Sequence, residues 1–245
     1  MNREKKLWIG FALVMSISFA VLGYYGYEIY QEAPPVPKEI VGPDNAVIFT
    51  SEEIKDGQNI WQSIGGQEVG SIWGHGAYVA PDWTADWLHR EALIILNIYA
   101  QKDFNKKYEE LDSEKQATLK IRLQKDLRTN RYNPDTGILT ISENRLTAIE
   151  TLSEYYKGLF TNDSKFDKLR GEYAIPKNSI TDTERMHQMN AFFFWATWAT
   201  VTNRPDASIS YTHNWPSDEL VGNTATTELL AWSGVSIILL ILSVG

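Results

Sequence analysis

The chain begins and ends on apolar runs, and the polar pattern lies between them. Residues 7–27 carry no charge and include Trp8, Ile9, Phe11, Leu13, Val14, Ile17, Phe19, Val21 and Leu22. A helix rises about 1.5 Å per residue, so roughly 20 apolar residues cross about 30 Å of hydrocarbon. The run predicts a transmembrane anchor over residues 1–31. Arg3, Lys5 and Lys6 precede it and Glu28 and Glu32 follow it, which by the positive-inside rule places the N-terminus in the cytoplasm and the following residues outside. Trp8 at one end and Tyr24, Tyr25, Tyr27 and Tyr30 at the other stand where aromatic belts form. A cleaved signal peptide would need a shorter run ending in small residues. The second run, LLAWSGVSIILLILSVG over residues 229–245, is also uncharged and stops only with the chain. It reads as the start of a second transmembrane helix within residues 223–245, and the sequence as a piece of a longer multi-pass protein. A tail anchor or a buried core helix are the alternatives.

Residues 32–222 read as one mainly helical extracytoplasmic domain with a small β-hairpin. The proline-punctuated stretch 33–43 (APPVPKEIVGP) is expected to run extended as a linker. Thr50 and Glu53 are spaced as a capping box, so a helix starts there and should end at Gly65-Gly66. A glycine-rich loop follows at 65–78 (GGQEVGSIWGHGAY), with no phosphate-loop pattern. Further helices are predicted over 82–103, where Trp87, Leu88, Ala92, Ile95, Leu96 and Tyr99 share a face, and over 113–128, where Leu119, Leu123 and Leu127 recur every four residues. The turn at Asn133-Pro134-Asp135-Thr136-Gly137 and the β-rich ILTI at 138–141 predict the hairpin. Two more helices are expected over 143–160 and 182–200.

Composition narrows the chemistry. The 31 acidic residues outnumber the 23 basic ones, for a net charge of -8, with no basic run to neutralise phosphates, so nucleic acid is not an expected partner. There is no cysteine, which excludes disulfides, thiol catalysis, iron–sulfur clusters and thioether-linked haem together. The four histidines, His75, His89, His187 and His213, show no metal-ligand spacing.

Three blocks carry a resemblance. Residues 57–89 (GQNIWQSIGGQEVGSIWGHGAYVAPDWTADWLH), 192–205 (FFFWATWATVTNRP) and 209–223 (ISYTHNWPSDELVGN) resemble the N-terminal region of single-chain, quinol-dependent nitric oxide reductases, denitrification enzymes of the haem-copper oxidase superfamily. The resemblance implies a cytochrome-c-like helical domain that has lost its haem and leads into a catalytic transmembrane helix bundle of the same protein. In the related cytochrome-c-dependent enzymes a Trp-Gln pair, then Cys-x-x-Cys-His, then Gly-x-Gly-Ala-Tyr occur in order. Here Trp61-Gln62 and Gly74-His75-Gly76-Ala77-Tyr78 keep that separation, while the haem-attachment positions fall on Gly66, Val69 and Gly70. The resemblance further implies reduction of NO to N2O with electrons from a quinol, b-type haems and a non-haem iron on later helices, and a calcium ion held by the backbone carbonyls of Gly76 and Tyr78. No catalytic residue is expected in this chain, and its place is the bacterial cytoplasmic membrane.

Other readings stay open. A nitric oxide dismutase would share this region, and two spans flanking an outside domain also describe a sensor. His75 reads either as an interface group sensitive to pH or as a hydrogen-bonded surface residue; His89 with Arg90 and Glu91 as a propionate contact or as ion pairs. Phe192, Phe193, Phe194, Trp195 and Trp198 would touch quinol or lipid, or pack a helix against the membrane-facing side of the core. Arg204 would pair with a propionate, cap a helix or form a surface pair.

Overall fold

The computed structural model describes residues 3–74, 76 and 79–244. The chain divides between Pro35 and Val36 into two units. The N-terminal unit is essentially one helix, α1 (Arg3–Glu32), with no buried residue. Its apolar side chains, Leu7, Trp8, Phe11 and Leu22 among them, are exposed all round, and the 30 residues make a rod about 45 Å long. Among the described residues it is the one helix long and apolar enough to cross a membrane.

The second unit is mainly helical and carries one small sheet. Its strands β1 (Glu39–Val41), β2 (Val47–Thr50), β3 (Tyr132–Asn133) and β4 (Ile138–Thr140) lie in the order β2-β1-β4-β3. β1 pairs antiparallel with β2, Ile40 opposite Phe49, and parallel with β4, Ile40 opposite Leu139. The expected hairpin is present as β3 and β4, but the proline stretch expected to be a linker supplies one of the sheet's two central strands. Pro37 and Pro43 bound a proline-free interval that keeps every N–H available for pairing. Ile40, Phe49 and Leu139 are each 1% exposed or less, so the sheet's inner face is core.

Five longer helices accompany it, α2 (Ser51–Ser63), α3 (Trp83–Phe104), α4 (Ser113–Arg128), α5 (Glu143–Phe160) and α7 (Thr183–Val201), with the short α6 (Asp167–Glu172) between the last two; α2 and α7 contact the sheet through β2. Each long helix starts on a side-chain cap. Thr50 and Glu53 form the reciprocal capping box of α2, and Asp82, Asp112, Ser142 and Asp182 accept from backbone N–H groups in the first turns of α3, α4, α5 and α7. Leu119, Leu123 and Leu127 of α4 lie on Leu88, Ala92, Leu96 and Tyr99 of α3. Burial of each leucine stabilises by about 2 kcal/mol. Of the two readings of the aromatic stripe of α7, packing holds for Phe192, Phe193, Phe194 and Trp198, which are buried inside the domain because α7 is wrapped by α2, α3, α4, α5 and β2; Trp195 is half-buried. The last element, α8 (Thr227–Val244), is apolar and largely exposed, and shorter than α1.

α2 and α7 approach closely at Gly57, where an added Cβ would lie 2.0 Å from the Gln188 carbonyl oxygen and 2.7 Å from Phe192 Cβ. Replacing Gly57 by Ala is therefore expected to cost about 3 kcal/mol through forced separation of the two helices. Gly171→Ala, in α6 with nothing within 4 Å of the added methyl, should be neutral or stabilise by up to about 1 kcal/mol. Urea titrations of the two variants, followed by tryptophan fluorescence, test the contrast.

Candidate functional site

The glycine-rich loop gathers the features that the sequence singled out, and one carboxylate organises it. Asp82 is the N-cap of α3 and 6% exposed. Its Oδ1 accepts from the Ala85 N–H at 2.9 Å and from the Thr84 hydroxyl. Its Oδ2 accepts from the Ser71 hydroxyl and the Gly74 N–H, both at 2.7 Å. Ser71 Oγ in turn accepts from the Gly76 N–H at 2.8 Å, and the Ser71 backbone pairs with residues 81 and 83. A buried carboxylate surrounded by four donors needs no cation to be satisfied. The loop is further held by indoles: Trp61 Nε1 donates to Gly70 O at 3.1 Å, Trp73 Nε1 to Ala196 O at 2.8 Å, and Trp215 Nε1 to Gly74 O at 3.1 Å.

Gly70, where the resemblance would put a haem-ligating histidine, has no room for a side chain. Its φ is +133°, and an added Cβ would lie 2.2 Å from Trp83 Nε1 and 2.8 Å from the Pro81 carbonyl oxygen. Trp83 is fully buried. It stacks on Phe193 with ring centroids 5.7 Å apart and planes at 14°, and meets Tyr156 and Tyr173 edge-on. Trp87, one turn on, stacks on Tyr156 at 5.2 Å and 7°. The space beside the loop is thus filled with aromatic rings from α3, α5 and α7. A c-type haem does not fit these residues, because both thioether cysteines are missing and Trp83 stands where an imidazole on residue 70 would have to point.

Two polar contacts bridge helices inside the aromatic block, while the Trp83 and Trp87 indole nitrogens are buried without a hydrogen-bond partner among the described residues. The Tyr156 hydroxyl donates to Asp86 Oδ2 at 2.8 Å, and burial holds its pKa well above the usual phenol value, so it remains a neutral donor. Glu91 and Arg145 form an ion pair of 2.6 Å between α3 and α5, with side chains 0% and 4% exposed. Burial pushes the Glu91 carboxyl up, against the pull of Arg145.

The other singled-out residues separate. His89 Nδ1 lies 2.9 Å from Asp218 Oδ2, Arg90 bonds Asp86 and covers the Tyr155 ring, and Glu91 points inward, so the three form three unrelated contacts. His187 sits 3.3 Å from Glu53 and against the Phe49 ring. Arg204 donates to the carbonyls of Ser210 and Tyr211. Among the described residues no group of three His, Asp or Glu side chains converges to hold a metal. Gly76 has φ +86° and its amide is tied to Ser71; its companion Tyr78, with His75 and Ala77, lies outside the described residues. Reading the sequence missed Asp82's role in the loop, although its signal, an Asp before a helical pattern, was there.

The Gly70 contact makes a direct prediction. Placing Cys at 66 and 69 together with Gly70→His, in cells that attach haem to Cys-x-x-Cys-His motifs, should yield no covalent haem on denaturing gels stained for haem peroxidase. Gly70→Ala alone should destabilise by about 3 kcal/mol or more, from the combined clash and backbone strain.

Comparison with curated proteins finds no match. The family described as the NorB cytochrome c-like domain of nitric oxide reductase does match, over residues 37–217. That span runs from the first strand through the caps, the loop and the aromatic block to the segment after α7. With α2 to α7, the loop and the larger part of its length matched, the chain belongs to the family of the nitric oxide reductase NorB cytochrome c-like domain.

Proposed function

We propose that this chain is the membrane-anchored N-terminal part of a quinol-dependent nitric oxide reductase that converts NO to N2O, and that it contributes scaffold and assembly rather than a redox centre. The observation that carries the reading is the Gly70–Trp83 contact within a nitric oxide reductase domain. A domain without a c-type haem cannot relay electrons from a soluble cytochrome, so the electrons reach the membrane part from a quinol. In this reading residues 1–31 anchor the chain with the N-terminus in the cytoplasm, residues 32–222 lie outside the bacterial cytoplasmic membrane, and residues 223–245 lead into the catalytic bundle. That bundle would hold the b-type haems and the non-haem iron, which together supply the site for NO reduction. The lipid bilayer surrounds α1, whose exposed apolar surface supports this placement.

A calcium ion belongs to the same proposal. Main-chain carbonyls are hard oxygen donors of the kind calcium takes, and those of Gly76 and Tyr78 would supply two of its ligands, in a loop whose Gly76 has the turned φ of +86°. Chelation of calcium from the purified full-length protein is expected to lower its thermal midpoint, and calcium, but not magnesium, should restore it.

The central test is anaerobic NO consumption by membranes carrying the full-length protein, with a reduced quinol or reduced cytochrome c as donor. Quinol-driven loss of NO with N2O as product is expected, and no rate from cytochrome c. Release of N2 and O2 instead would identify a dismutase. Turnover supported only by cytochrome c would sink the proposal, as would a c-type haem on residues 32–222.

A further inference from the structure

Beyond α7 the chain runs through residues 202–226 before entering α8, and this stretch has little regular structure of its own. One side chain gathers it. Arg128, the last residue of α4, is half-buried. Its NH1 donates to the Asn223 side-chain oxygen at 2.9 Å and the Gly222 carbonyl at 3.3 Å, and its NH2 to the Asn214 side-chain oxygen and the Ser208 carbonyl, both at 3.0 Å. Four acceptors spread over residues 208–223 thus converge on one guanidinium. Both asparagines extend the hold. The Asn223 amide, on a residue 2% exposed, donates to the carbonyls of Thr200 and Pro216, and Asn214 exchanges two bonds with Ser210.

The choice of an ionised group here needs explaining. Among the described residues no carboxylate lies within ion-pair distance of Arg128, and burial pulls its pKa down. A half-buried cation without a counter-ion is costly, so it stands here for its geometry. A planar fork with five donors can bind four oxygens at fixed angles, and a lysine ammonium cannot.

We propose that Arg128 is a positioning residue for the membrane reaction: by clamping residues 208–223 to the end of α4 it fixes where the chain leaves the domain and enters α8. The clamp ends at Asn223, and α8 begins at Thr227, so little free chain remains to absorb a displacement. This inference rests on the function proposed above, in which α8 leads into the catalytic bundle. Misplacement by about 1 Å can lower a rate by two orders of magnitude where reacting groups must be aligned.

The test uses the full-length protein in membranes with Arg128→Lys, Arg128→Ala, and Arg128→Lys combined with Asn214→Asp, which sets a carboxylate opposite the ammonium. Both single variants are expected to lose NO turnover at saturating quinol by about tenfold or more, with KM for quinol unchanged and faster protease cleavage confined to residues 205–226. The double variant should recover part of the rate. Wild-type turnover in Arg128→Lys would overturn the proposal, as would loss of turnover accompanied by protease sensitivity throughout residues 36–201, which marks a general folding role. Should the wild-type protein consume no NO, the proposed function fails instead, and unchanged cleavage of residues 205–226 in the variants would dispose of the clamp separately.

Discussion

The interior of the domain is arranged around the place where Trp83 meets Gly70. That contact joins elements that otherwise have little reason to stay together: a loop of glycines, the first turn of α3, and the aromatic faces of α5 and α7. The indole is held from both directions. Asp82 fixes the backbone at the start of α3 through the cap, and Phe193, Tyr156, Phe160 and Tyr173 surround the ring. Such ring pairs add about 1 kcal/mol each beyond the area they bury. The loop can lie flat on the indole only because residue 70 lacks a Cβ and accepts a positive φ.

The polar contacts inside this block keep the helices in register. Arg145 pairs with Glu91 and lies 4.8 Å over the Phe194 ring, so a single side chain ties α5 to both α3 and α7. A buried ion pair adds little net stability over a well-packed apolar pair, but removing one member strands the other at a cost of about 3–5 kcal/mol. Sliding α3 along α5 by a turn would do the same. The Tyr156–Asp86 bond adds a second such constraint.

Much of this was legible in the sequence where the signal is local. The four-residue leucine spacing of α4, the Thr50–Glu53 box and the Asn-Pro-Asp turn each led to the element observed, because capping and turn chemistry act within a few residues. β1 was missed because it is only three residues long and its parallel partner β4 lies about a hundred positions away. The stripe of α7 left two readings open for a different reason: five aromatic residues within seven positions leave no polar face, so periodicity cannot say which side is inside. Nearly all of it is, since α7 is the central helix. For the loop, the resemblance put the haem-ligating position at Gly70, and the absence of cysteine excluded a thioether-linked haem by chemistry. Neither could show that a tryptophan 13 residues later had taken the space, because that is a matter of three-dimensional volume.

A core made of its own side chains also changes how such a domain comes into being. Where a haem is the centre of a fold, the polypeptide has to be exported, supplied with the cofactor and joined to it by other proteins before its interior can close. Here Trp83, Trp87 and their aromatic neighbours arrive with the chain. No thioether-linked haem has to be attached before these rings can pack, because the chain has no cysteine to carry one.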